Sequence, residues 1–167
     1  MPRVIFALLL MAFALVQTSV LPMAQSLGII PDLVLVALLL WSATCEPREG
    51  LLWAFGIGLF LDLLTLAPLG STALGLLPVT VIGWLSRSRF FQSSVLFPLL
   101  MVMAATLARG VVLIVLTPLV GGHVSVLGVA RFGLLGALLN SLLVLPLYLI
   151  VQLLARWIER NETYARA

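Results

Sequence analysis

The chain has 167 residues, of which 63% are apolar and only 15 are charged: nine arginines, six Asp or Glu, and no lysine. An average soluble domain of this length would carry about 42 charges, so a water-covered globule is excluded, and a mean hydropathy of +1.26 excludes disorder. What remains is an all-α polytopic membrane protein.

Apolar stretches at 4–21, 27–45, 50–66, 69–86, 95–120 and 126–155 predict six transmembrane helices in a single integral membrane domain over 1–167. Six crossings of about 20 residues use roughly 120 residues and leave no room for a soluble domain. Runs this long do not fit barrel strands, which alternate and span about 9–11 residues. The first stretch resembles a secretory signal, but its apolar run is long and Pro22 stands where a small residue should precede Ala24, so it is expected to stay as the first helix.

Turn chemistry separates the stretches: Pro22 to Gly28, Glu46-Pro47-Arg48-Glu49-Gly50, Pro68-Leu69-Gly70-Ser71-Thr72, Arg87-Ser88-Arg89, and Gly121-Gly122-His123. The break at 66–72 carries no charge. Without it, however, one helix from 50 to 86 would be about 55 Å long, too long for a single crossing. Pro68 and Gly70 are therefore read as a turn motif. Pro78 and Pro146 fall inside predicted spans and should kink them.

With the N-terminus inside, the inner segments hold Arg3, Arg48, Arg87, Arg89, Arg156, Arg160 and Arg166, whereas the outer loops hold no arginine. That asymmetry predicts cytoplasmic termini at both ends of the chain. Arg156-Trp157-Ile158-Glu159-Arg160 reads as an interfacial anchor or a contact for a cytoplasmic partner.

Ionisable groups within spans are costly, about 2.5–3.5 kcal/mol each on insertion scales, and mark candidate sites. Four stand out: Asp32, Asp62, Arg109 and Arg131. The predicted topology puts all four in the outer half of the bilayer, two of each sign, so mutual pairing is expected. Asn140 lies a turn or more deeper and extends this polar cluster; Gln17, Thr18 and Ser19 reach a similar depth. Asp32, just after Pro31, also suits a helix N-terminus. Asp62 and Arg109 fit a structural ion pair as well as a ligand or partner contact.

Small residues at helical spacing mark close helix contacts: Gly50, Ala54, Gly56 and Gly58 on the third span, Gly133 and Gly136 on the sixth. Internal packing and the docking of a partner helix use the same device, so both remain open. Catalytic patterns are lacking. His123 is the only histidine, there is no zinc-protease motif, no cysteine pair beside Cys45, no lysine for a Ser–Lys dyad, and no phosphate-binding loop. No enzyme activity, cofactor, metal or nucleic-acid partner is expected; the net charge of +3 comes from arginines scattered singly.

Taken in order, several segments resemble the MreD family of rod shape-determining proteins. They are Val16-Gln17-Thr18-Ser19-Val20-Leu21-Pro22, then Gly28 with Pro31-Asp32-Leu33, then Gly56-Ile57-Gly58-Leu59-Phe60-Leu61-Asp62-Leu63-Leu64, then Pro68-Leu69-Gly70 with Ala73-Leu74. The resemblance implies a non-enzymatic component of the bacterial elongation machinery in the inner (cytoplasmic) membrane. It implies binding to MreC and, directly or through MreC, to RodA and the class B penicillin-binding protein, with an influence on peptidoglycan synthesis and rod shape. The family is also similar in fold to substrate-binding subunits of energy-coupling-factor vitamin transporters, so the alternative is a small-molecule binding subunit of a transporter. For the scaffold, the expected docking face for a partner helix is the small-residue side of the third span, at Gly58, or the kinked later spans.

Overall fold

The structure, a computed structural model, describes residues 2–20, 31–90, 96–119, 133–144 and 146. Its elements are α1 (Pro2–Leu15), continued by a π-helical turn at Val16–Val20, then α2 (Leu33–Ser42), α3 (Pro47–Thr65), α4 (Ser71–Phe90) and α5 (Leu96–Leu119). A sixth helix, α6, follows at Gly133–Val144. All regular structure among the described residues is helical, and a helix lies within or overlaps each predicted stretch. His123, Arg131 and the segment 156–160 lie outside the described residues, as do residues 21–30.

Consecutive helices run in opposite directions. Arg3 meets Glu49, which puts the starts of α1 and α3 at one end, while Gln17 meets Val34, which puts the end of α1 beside the start of α2. α4 packs against α2, α3 and α5, and α2 also touches α1, α3 and α5. One apolar core draws on Phe6, Leu38, Ala54, Leu76, Val102 and Val144, one from each helix.

The second predicted stretch is shorter than expected. Instead of 27–45, the described helix covers ten residues, about 15 Å at 1.5 Å per residue. Pro31 and Asp32 set its start. Its end is set by turns in which Ala43 N donates to Leu39 O and Thr44 Oγ1 donates to Trp41 O. Every residue from Val34 to Ser42 is buried, so α2 is a core rod wrapped by its neighbours. α4 reaches Phe90 and carries Pro78 inside it as one helix. Pro146 stands at the edge of the described residues.

The outer surface is as apolar as the core: Leu8, Leu52, Leu85, Val111 and Leu142 are each more than half exposed. Such a surface needs a non-aqueous covering. α5, with 24 residues, is long and apolar enough to cross a membrane by length and composition; α2 and α6 are shorter apolar helices.

Close approach of backbones fixes the inner packing. A Cβ added at Gly58 would lie 2.3 Å from Ala73 Cα, and one at Gly83 would lie 2.7 Å from Leu39 O. Gly50 faces Ser42 in the same way at 3.1 Å, and Ala54 between them is fully buried. The Gly50–Ala54–Gly58 ridge is thus spent on α2 and α4, which corrects the expectation that Gly58 receives a partner helix. Among the described residues, Gly56, Gly133 and Gly136 have nothing within 4 Å of the place a Cβ would occupy.

Candidate functional site

The polar centre is built around the buried start of α2. The first N–H groups of a helix have no partner within it, and away from water each must find one elsewhere. Here three elements supply acceptors. Asp32 Oδ1 takes the Leu35 amide at 2.9 Å, Gln17 Oε1 from the π-helical turn takes the Val34 amide at 3.3 Å, and Asn140 Oδ1 from α6 takes the Asp32 amide at 2.7 Å. Asn140 also donates to Thr106 Oγ1 at 3.2 Å, linking α6 to α5.

The other carboxylate oxygen of Asp32 forms an ion pair with the Arg109 guanidinium. The two charges cancel, which is what burial of either requires. Arg109 reaches Asp32 because α4 has no side chain in the way: a Cβ at Gly75 would stand 3.3 Å from Arg109 Cγ. One donor remains unmet, since the buried Arg109 Nε has no hydrogen-bond partner among the described residues.

Asp62 stands apart from this cluster, contrary to the expected pairing with Arg109. Its carboxylate accepts from Gly70 N at 2.7 Å, Thr72 N at 3.0 Å and Ser71 Oγ at 3.3 Å. A carboxylate at a helix start is stabilised by backbone amides and the helix dipole, so no arginine is needed to bury it. Leu66 closes α3 with φ +53°, and the turn completes with Ser71 N donating to Pro68 O around Gly70 at φ +91°. Pro68 and Gly70 thus form the turn the sequence indicates, with Asp62 as its anchor.

The structure therefore joins Asp32, Arg109 and Asn140 in one network, places Asp62 in a second, and leaves Arg131 outside the described residues. Sequence reasoning missed Thr106, Gly75 and Gly83. A mid-helix threonine bonding its own backbone, as Thr106 does to Val102 O, carries no outward signal.

The opposite end carries charge of both signs. Arg3 makes two hydrogen bonds to Glu49, at 3.0 and 2.8 Å, and Trp53 Nε1 donates to the same carboxylate at 3.5 Å. The Arg3 hydrogen bond is the main reason the Glu49 carboxyl is held below the usual carboxylate range. Behind them Phe6 stacks on Trp41 at 4.0 Å and meets Trp53 edge-on at 5.5 Å.

Among the described residues no group of three His, Cys, Asp or Glu side chains could hold a metal ion. No curated protein and no solved structure matches the chain. The family model for the rod shape-determining protein MreD matches residues 1–158. That family is a membrane-associated, shape-determining component rather than a family of enzymes. The buried Asp32 after Pro31, the Asp62-anchored Pro68–Gly70 turn and this match over nearly the whole length point the same way: the chain belongs to the MreD family of rod shape-determining proteins.

Proposed function

We propose that this chain is a six-span scaffold of the bacterial inner membrane, both termini cytoplasmic, that binds MreC and through it helps regulate peptidoglycan synthesis by RodA and the class B penicillin-binding protein. The observation that carries the reading is the family match over residues 1–158. The build supports it. The described connections are short, as at Ala43–Glu46 and Leu66–Gly70, so the chain acts through helix faces rather than through a soluble domain. Side chains that would otherwise greet a substrate, Asp32, Gln17 and Asn140, cap α2 instead.

The docking face we assign to MreC is on α6, where, among the described residues, Gly133 and Gly136 are open and Leu134, Leu138 and Leu142 are exposed. Depleting the chain from its own cells should turn rods into rounded cells, and the Gly136→Leu variant should insert normally yet fail to restore shape. Rods that persist after depletion would refute the reading.

One observation favours a second reading, a small-molecule binding subunit of a transporter: the buried Arg109 Nε, beside Gly75, has no hydrogen-bond partner among the described residues. Native mass spectrometry of the purified chain separates the two, because this reading alone requires a retained small molecule that is not a lipid.

A further inference from the structure

A groove of about 770 Å³ runs between α1 and α3. Its apolar length is walled by Leu10 and Met11 on one side and by Leu52, Ile57 and Phe60 on the other. Gly56 forms part of its floor, with no atom within 4 Å of a Cβ position. The aromatic stack of Phe6 and Trp41 with Trp53 braces it from behind, so the groove is preformed rather than a gap left by loose side chains.

One end of this groove is polar. Arg3 and Glu49 occupy each other there, and the pair is neutral. Glu46 and Arg48 line the same mouth, are exposed, and make no side-chain hydrogen bond or ion pair among the described residues. The mouth thus offers a carboxylate, Glu46, which also lies in the field of Arg3, and a guanidinium, Arg48, above an apolar slot. From Arg48 to Phe60 the slot follows twelve residues of α3, about 18 Å. Half of a ~30 Å hydrocarbon core is about 15 Å, so the slot has the depth of one leaflet.

We infer that the α1–α3 groove binds one phospholipid with a zwitterionic, primary-amine head, the phosphatidylethanolamine type. An acyl chain lies along Gly56, the phosphate sits on Arg48, and the ammonium sits on Glu46. The charge pattern selects this occupant. A phosphate that meets a guanidinium gains charge-assisted hydrogen bonds, and a primary ammonium gains them from a carboxylate. A phosphatidylglycerol head brings no cation for Glu46, and a trimethylated choline head cannot donate to it. A purely apolar partner helix would leave both charges unmatched. The inference rests on the membrane-embedded reading above, with the Arg3 end at headgroup level, but not on MreC.

The test uses the full chain in nanodiscs with equal parts phosphatidylethanolamine, phosphatidylglycerol and phosphatidylcholine, followed by mild delipidation and native mass spectrometry. One phosphatidylethanolamine should remain per chain, enriched about tenfold over each competitor. The Gly56→Phe variant, which fills the slot, should lose it. Glu46→Gln, an exposed change that leaves the fold alone, should keep a bound lipid but lose the preference over phosphatidylcholine. Equal retention of the three lipids by the unaltered chain would overturn the inference. So would a Gly56→Phe variant that keeps its lipid but loses MreC, since that assigns the groove to a partner helix. Because lipid retention is read on the chain alone, a failure to bind MreC would count against the scaffold and not against the lipid site.

Discussion

The Asp62 carboxylate and the Gly70 amide are 2.7 Å apart, so a side chain in the last turns of α3 holds the turn that starts α4. The same carboxylate takes Thr72 N and Ser71 Oγ. Replacing Asp62 with Ala should lower stability in detergent by about 1–3 kcal/mol, the cost of a lost cap plus part-buried amides left unpaired. Asp62→Asn, which keeps one acceptor oxygen, should cost less. Charge reversal at Arg109 should not rescue Asp62→Arg, as thermal unfolding of the double variant will register.

Leu66 and Gly70 give opposite outcomes in the same turn. Leu66 holds φ +53° and is almost wholly exposed, so Leu66→Gly relieves strain and should be neutral or stabilising by up to about 1 kcal/mol. Gly70 holds φ +91°, and Gly70→Ala should cost about 1 kcal/mol or more. Paired melting curves check the sign of each.

Gly58 and Gly56 are two residues apart and should respond in contrasting ways. Gly58→Ala puts a Cβ into the Ala73 backbone and should destabilise by about 1–3 kcal/mol. Gly56→Ala meets open space within a helix, where alanine is favoured by up to about 1 kcal/mol, so stability should hold or rise. Expression level and unfolding temperature of the two variants provide the comparison.

The Asp32–Arg109 pair should show strong coupling. Asp32→Asn keeps the cap oxygen for Leu35 but strands the arginine; Arg109→Gln strands the carboxylate. Each single change should cost about 3–5 kcal/mol, whereas the double change should recover much of it. A double-mutant cycle that comes out additive would mean the two charges do not sense each other.

At the other end, Glu49 titrates below its ordinary range because Arg3 favours its charged form. A carboxyl with a depressed folded pKa adds stability above its unfolded pKa and loses it as pH falls through the folded value. Arg3→Gln should therefore lower the unfolding temperature at neutral pH, and the difference from the unaltered chain should fade on acidification below the ordinary glutamate range.

Helix positions were legible because long apolar runs and turn residues dominate this chain, as the agreement at 95–120 and Leu96–Leu119 illustrates. The shortness of α2 was half legible: Pro31-Asp32 is a readable start signal, but its early end at Ser42 is set by local turns within an apolar run. The partner of Asp62 was misread because ion pairing is only one way to bury a carboxylate. Backbone amides at a helix start do the same work, and the sequence between Asp62 and Thr72 contained them. Contacts such as Asn140 with Asp32, 108 residues apart, depend on how six helices pack and leave no local trace. Gly56 and Gly58 look alike in sequence, and only the packing tells which one is used.

We propose that this chain is a shape-determining scaffold whose partner is a membrane protein. Affinity purification of the tagged chain from its native membranes in mild detergent, with quantitative mass spectrometry, tests it most directly. MreC should be recovered in near-equal amount, sharply reduced for Gly136→Leu and retained for Glu46→Gln. Recovery of the chain without MreC, carrying a tightly held small molecule other than a lipid instead, would contradict it.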